Sequence, residues 1–362
     1  MKNFLKYVML FCSLLLAVLL LFCNTIPNTN PYELSFAGIL SFFAPVFAVL
    51  NLFFLFVWLI FKKFKYSLIP LVALILSWNI YASIFALNLF KKQSIETNLN
   101  RINVMSYNVR LLNLYNWNKE PDTRKKIIKM FAKYSPTVLC LQEFYNGNDS
   151  VGFNNIQEIM ESCGYKYFAT CDIFSTKRGK WGNVVFSHLP IIKKQNHDID
   201  VYGNNLLQQV DILWKNQTIH IFNVHLKSNR FTSNESDAIN NPEKNQLKEN
   251  SLNIFKKLRK NAINRGLEAS LVAKILSNTK ENVIVCGDLN DIPSSYVYFK
   301  VKNKLKDTFL ENGLGMGTTY ISKIPILRID YIFHSKHFKC MGYKRFNYEY
   351  SDHYPIMVNL EM

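Results

Sequence analysis

At 362 residues, 49% of them hydrophobic, and with a formal net charge of +17, the chain has room for one large domain and an appendage. Seven cysteines without CxxC or Cys/His spacing do not suggest a disulfide framework or a structural zinc site, and no internal repeat or low-complexity tract is present. The first 90 residues hold only five lysines and one glutamate as charges, +4, which leaves +13 on the remaining 272. That later part is basic in its own right and favours anionic partners: nucleic acids, phosphorylated small molecules or anionic lipid surfaces.

Three stretches of the first 90 residues, from Phe4 to Phe22, Leu34 to Phe61 and Leu68 to Phe90, reach the length of about 20 apolar residues that crosses a bilayer. The first could also be read as a secretory signal with Lys2 and Lys6 as its basic end. Its apolar run is long for a signal core of about 7–15 residues, and no small-x-small cleavage pattern follows, so we read it as an uncleaved anchor. Lys2, Lys6, Lys62, Lys63 and Lys65 flank the spans on one side, whereas Cys23 to Glu33 has no Lys or Arg, so the positive-inside rule puts the N-terminus in the cytoplasm. Three crossings then make this a multi-pass protein of the cell inner membrane with its later domain outside the cytoplasm; Lys91 and Lys92 argue mildly the other way. We expect a membrane anchor over residues 1–92 and a second domain over 100–362.

Beyond the spans, strand-like and helix-like runs alternate. Strands are expected at Ile102 to Tyr107, Val138 to Leu141, Tyr165 to Ala169, Asn183 to Ser187, Ile219 to Val224 and Val283 to Cys286, with further strands near the C-terminus. Helices are expected at Thr123 to Lys133, near Ile156 to Cys163 and from about Leu252 to Leu276, and the polar Asn229 to Asn250 reads as a long surface loop. Cys140 and Cys286 fall inside strand runs and read as small buried hydrophobes; Cys163 and Cys171 could pair across a hairpin in an oxidising compartment. Periodicity alone says α/β or α+β.

Four segments end apolar strand runs with the residue types that metal-assisted phosphate chemistry needs: Ser106-Tyr107-Asn108-Val109-Arg110, Leu141-Gln142-Glu143, Gly287-Asp288-Leu289-Asn290 and Ser351-Asp352-His353. A carboxylate or amide just past a buried strand is held rigidly at the rim of a sheet, where a cation and a phosphate both reach it. Phe222-Asn223-Val224-His225-Leu226 and Arg328-Ile329-Asp330-Tyr331-Ile332 join them. Each tripeptide alone is weak, but the set in order over about 250 residues resembles the endonuclease/exonuclease/phosphatase superfamily, the deoxyribonuclease-I-like enzymes, over roughly residues 100 to 362.

The resemblance implies a four-layer α/β sandwich of two facing mixed sheets, preceded here by three transmembrane helices. It also implies a role for each matching residue. Glu143 would be the main ligand of Mg²⁺ or Mn²⁺, a hard oxygen donor for a hard cation, with Asn108 beside it and Asp352 near that metal or a second one. Asp288 would position and deprotonate the attacking water, and Asn290 would hold the scissile phosphate or that water. His353 and His225 would contact the non-bridging phosphate oxygens, with Asp330 orienting and charging His353. Arg328 shares a strand face with Asp330 and is open to two readings, a phosphate clamp or a structural salt bridge.

His225 weighs against the abasic-site endonuclease branch, which does not usually carry histidine there. Trp181-Gly182-Asn183-Val184-Val185-Phe186-Ser187 resembles a strand of the family, yet His188 follows where arginine or lysine is common. The expected activity is a divalent-metal-dependent phosphoester hydrolase, leaning to nuclease or phosphodiesterase. The alternatives are a phospholipase C-like sphingomyelinase or a phosphatase of sugar or inositol phosphates. A catalytically silent, membrane-tethered binding module would be favoured by loss of Glu143, Asp288 or His353, and all three are present. The +13 charge, the Lys256-Lys257-Leu258-Arg259-Lys260 cluster, Tyr115 and Trp117 suit a nucleic acid or an anionic membrane surface; the bland reading of the cluster is a solvated helix face.

Overall fold

In the computed structural model the described residues are 2–91, 100–148, 152–200, 205–229, 247–279, 281–322 and 327–362. The chain divides into two compact units: Met1–Phe85, Asn229–Leu267 and Ile292–Lys300 form one, and Ala86–Ser228, Glu268–Asp291 and Val301–Met362 the other. Parts of the segment expected in a 100–362 domain thus group with the apolar helices.

The first unit begins with α1 (Lys2–Cys23), α2 (Ala37–Leu40), α3 (Ala44–Ile60), α4 (Phe64–Leu76) and α5 (Trp78–Ile84). Two helical stretches, Asn3–Asn28 and Ala37–Ile60, are long and apolar enough to cross a membrane. The expected third span is broken: α4 and α5 meet at a 59° bend, so a third crossing exists only if the bent pair counts as one. Small and polar side chains join the bundle where hydrophobicity alone gives helices in lipid no preference for one another. Ala17, Leu20 and Ala73 pack together, Asn51 Nδ2 donates to Leu16 O (3.0 Å), and Asn24 Nδ2 donates to Leu76 O (3.0 Å).

The second unit holds two six-stranded mixed sheets. Its elements run β1 (Ala86–Leu87), β2 (Ile102–Asn108), α6 (Thr123–Tyr134), β3 (Val138–Gly147), α7 (Asn155–Cys163), β4 (Tyr167–Thr176), β5 (Gly179–Ser187), β6 (Ile191–Asp198), β7 (Leu206–Trp214) and β8 (Gln217–His225). After the long helix α8 (Leu247–Ser277), which runs through both units, come β9 (Val283–Asp288), α9 (Tyr296–Lys302, mostly in the first unit), β10 (Lys306–Asp307), α10 (Thr308–Asn312), β11 (Leu314–Gly315), β12 (Asp330–His334), β13 (Lys339–Arg345) and β14 (Ile356–Glu361). The sheet orders are β13-β14-β2-β3-β5-β4 and β10-β12-β9-β8-β7-β6.

Strand alternation explains the layers. On β2, Ile102 and Val104 enter a cluster with Ile221, Ile284 and Ile332 of the other sheet, while Met105 and Tyr107 enter one with Ile127 and Phe131 of α6 and Ile159 of α7. A strand buried on both faces reads as a continuous apolar run, which is why β2, β3 and β9 were visible in the sequence. The seven cysteines are free, Cys163 and Cys171 included. Of the expected loop over Asn229 to Asn250, residues 230–246 lie outside the described residues, and α8 already starts at Leu247.

Candidate active site

Register sets the site's first row. β8 pairs parallel to β9 with His225 opposite Asp288, and β12 pairs antiparallel to β9 with Asp330 opposite Asp288. Three candidate site residues, His225, Asp288 and Asp330, thus stand at one level on adjacent strands. On the facing sheet, β2 pairs parallel to β3 with Asn108 opposite Gln142. The ladder between β3 and β5 shifts between Leu141 and Phe144, and Glu143 sits in that bulge with φ 48°. A bulge re-aims the side chain it carries, and left-handed backbone is uncommon at a glutamate.

Asp288 is the hub and is 1% exposed. Its Oδ2 accepts hydrogen bonds from Asn108 Nδ2 (3.1 Å) and Asn290 Nδ2 (3.2 Å), and its Oδ1 accepts one from the Asn290 backbone N–H (2.7 Å). His353 Nε2 lies 3.7 Å and His225 Nε2 3.8 Å from the same Oδ2. Burial pushes the Asp288 carboxyl up to about 7, against the pull of the neighbouring His353 charge. Gly287 makes this corner possible: its φ is 141°, and a Cβ there would come within 1.9 Å of Val224 O.

His353 Nδ1 lies 2.9 Å and 3.1 Å from the two oxygens of Asp330, which is itself buried. Burial alone would lower the His353 pKa, but the negative charges of Asp330 and Asp288 outweigh it and hold the ring protonated up to about 10. Tyr320 meets the same ring edge-on at 5.1 Å. His225 Nε2 is 3.6 Å from Glu143 Oε1 and so stands between Glu143 and Asp288. Asp352 pairs with Arg110 (3.4 Å) and has Oδ1 4.0 Å from His353 Nε2.

Two expectations change. Arg328 is no phosphate clamp in this geometry: its side chain is 1% exposed, Nη1 donates to Asp307 Oδ2 at 2.7 Å, and the guanidinium lies over Phe309 and Tyr331. A cation that ion-pairs inside the core is held from the cleft. Asn108 is turned with its nitrogen to Asp288 and its oxygen to the Arg110 N–H (3.1 Å), so here it holds the acid rather than offering its oxygen outward. At the departure from the family strand, His188 stacks on Tyr165 (4.3 Å) and its pKa is lowered, chiefly by burial.

Gln142 and Asn223, for which the sequence alone implies no role, bridge the two sheets beneath the site. Gln142 Nε2 donates to Asn223 Oδ1 (2.7 Å), and Asn223 Nδ2 to Leu141 O (3.1 Å) and Gln208 Oε1 (3.1 Å), all in the interior. Both amides adjoin or nearly adjoin site residues, Glu143 and His225, and that adjacency within the quoted segments was the available signal. Arg110 was also missed; its guanidinium lies 4.9 Å over Trp117, which meets Tyr115 edge-on at 5.4 Å.

The donor set suits a hard divalent cation. Among the described residues, ligand atoms of Asp288, Asp330 and His353 all lie within 4.8 Å of one another; with His353 held protonated, the donors left for a cation are carboxylate oxygens, those of Glu143 (3.6 Å from His225 Nε2) and Asp352 (4.0 Å from His353 Nε2) included.

The fold and this site define a phosphoester hydrolase of two facing sheets. The chain belongs to the Endonuclease/Exonuclease/phosphatase family, whose model matches residues 76–353, and it is therefore an enzyme acting on phosphoric esters, in a family that depends on divalent metal ions. Residues 6–84 match a domain of unknown function, DUF8431. Among solved structures, it is similar to the human Nocturnin catalytic domain with bound sulfate (20% identity, TM-score 0.53, covering 74% of this chain and 95% of that one). It is also similar to a mannosyl-6-phosphatase of Bacteroides thetaiotaomicron (16%, 0.51, 72% and 100%) and to D. rerio TDP2 complexed with single-strand DNA product (16%, 0.50, 72% and 99%). At these identities the likeness is one of fold. No curated protein matches.

Proposed function

We propose that the chain hydrolyses a phosphodiester, with nucleic acid the favoured substrate, and does so with Mg²⁺ or Mn²⁺ held at Glu143 with Asp352 nearby. The observation that carries the reading is the buried Asp288, gripped by Asn108 and Asn290 and facing both His225 and His353. When bound, the cation would neutralise charge on the phosphate and organise its oxygens. Asp288 takes the proton of the attacking water, and the two asparagines fix the direction from which it does so. His353, protonated by its contact with Asp330, donates to a non-bridging oxygen, and His225 does so beside it, where charge builds in the transition state.

Substrate preference is set outside the catalytic residues, because one fold serves many esters: the fold relatives include a mannosyl-6-phosphatase and a protein with bound single-strand DNA product. Tyr115 and Trp117, 58% and 50% exposed, form with Arg110 an aromatic and cationic platform tied to Asp352, which supports a substrate with planar bases. The deciding experiment assays the full chain in detergent on single- and double-stranded DNA, RNA, sphingomyelin, inositol phosphates and sugar phosphates with Mg²⁺. Cleavage of nucleic acid supports the preference; turnover of a lipid or phosphomonoester with none of any nucleic acid overturns it and leaves the residue roles standing. The apolar helices support anchoring in a bilayer, and the lysine asymmetry supports an extracytoplasmic active site.

A further inference from the structure

The basic cluster of α8 lies in the same compact unit as the apolar helices, and its surroundings say what it faces. Asn24 Nδ2 donates to Leu76 O and to Ser77 Oγ (3.1 Å), so the C-terminal ends of α1 and α4 meet at one end of the bundle, where the segment between α1 and α3 also turns. Lys6, 5.0 Å over the Tyr66 ring, and Lys62, Lys63 and Lys65 mark the opposite end. The α1–α4 end exposes Tyr32, Phe36 and Trp78, the aromatic residues that favour the head-group level of a membrane. The N-terminal half of α8 is docked on this end: Arg259 Nε donates to Ser35 Oγ (2.7 Å), and Ala262 and Gly266 approach Gly38 and Pro31 so closely that a Cβ on either glycine would meet them at 2.7–2.8 Å.

Helical spacing separates the two faces of this segment. Asn261, Ala262, Arg265 and Ala269 are buried on one side. Leu252, Phe255, Lys256 and Lys260 fall at i, i+3, i+4 and i+8 on the other, and all four are exposed, Leu252 by 54% and Phe255 by 45%. A solvated helix face has little reason to carry exposed Leu and Phe among its lysines. Apolar and cationic side chains on one outward face suit the boundary between acyl chains and phosphate head groups, with lysine ammonium groups reaching back to the phosphates.

We infer that residues 252–260 form an interfacial ribbon that binds an anionic phospholipid surface at the bundle end opposite the N-terminus. Leu252 and Phe255 enter the head-group boundary, and Lys256 and Lys260 take the phosphates. The inference rests on the apolar helices spanning a bilayer and is independent of which ester is hydrolysed. Each basic residue near such a surface contributes about a fivefold preference for the bound state at low salt.

The test places the full chain in nanodiscs of phosphatidylcholine, with or without phosphatidylglycerol, and carries an environment-sensitive fluorophore at Leu252→Cys in a Cys12→Ser background, since the other native cysteines are buried. Expected are blue-shifted emission and quenching by a head-group spin label in anionic nanodiscs. Both should weaken as salt rises and fall at least tenfold in Lys256→Glu/Lys260→Glu, while hydrolysis of a soluble phosphodiester is unchanged. An unquenched, water-like probe in both lipid mixtures overturns the inference, as does a probe shielded by added DNA and indifferent to lipid. If Leu252→Cys disturbs the helix, preferential retention of phosphatidylglycerol by the solubilised wild type over the double variant decides in its place, and equal retention overturns the inference.

Discussion

In the proposed mechanism burial raises the Asp288 carboxyl to near neutral pH, and against the pull of burial the charges of Asp330 and Asp288 keep His353 protonated. The roles have opposite pH signs. Asp288 must be unprotonated to accept a proton, so with its carboxyl raised to about 7 the rate falls as pH drops toward and below that value, and a cation held nearby shifts this limb to lower pH. His353 must be protonated, so the rate falls as pH rises through about 10. Asp288→Asn should lower kcat by about 10² or more and abolish the acidic limb, which a pH–rate series on a generic phosphodiester reads directly. In Asp330→Asn the charge that holds the ring protonated is gone, and the basic limb should move to lower pH with little change in thermal unfolding; an unmoved limb would make Asp330 a purely structural residue.

At the scale of elements, the ends of strands carry the site and their middles carry the core. Gly287→Ala must relieve both a φ of 141° and a 1.9 Å approach to a backbone oxygen that has no freedom to retreat, so denaturant unfolding should show a loss of more than about 3 kcal/mol. Asn223→Leu leaves Gln142 and the Leu141 carbonyl short of a partner between the sheets; about 1–3 kcal/mol of stability should be lost, and the Mg²⁺ concentration for half-maximal rate should rise as Glu143 loosens. Unchanged Mg²⁺ dependence would confine the bridge to stability. These strands also explain what the sequence revealed. β2, β3 and β9 are buried on both faces and read as apolar runs ending in Asn108, Glu143 and Asp288. β6 hides because Ile191–Asp198 is an exposed edge strand rich in Lys, Gln and Asn, and β7 because Gln208, Gln209 and Asp211 are buried polar residues that break its alternation. Arg328 was ambiguous because its partner Asp307 lies 21 residues away in sequence and meets it only in the folded chain.

At the scale of the whole molecule, a unit built on the apolar N-terminal helices and a sheet unit that carries the candidate site share one chain, and the proposed extracytoplasmic orientation rests on the lysine asymmetry around α1, α3 and α4. A reporter fused after Met362 should be active only if it functions outside the cytoplasm; cytoplasmic activity would reverse the orientation and make intracellular nucleic acid the relevant pool. The central claim, hydrolysis of a phosphoester by a divalent cation held at Glu143 and a base at Asp288, is tested most directly by titrating Mg²⁺ against the rate of phosphodiester hydrolysis by the full chain and by Glu143→Gln. The account predicts no turnover in excess chelator, restoration by Mg²⁺ or Mn²⁺, and at least about a tenfold rise in the half-activating concentration for Glu143→Gln, as expected when a carboxylate ligand of a hard cation is neutralised. Full turnover in chelator, or an unchanged titration in the variant, would contradict it.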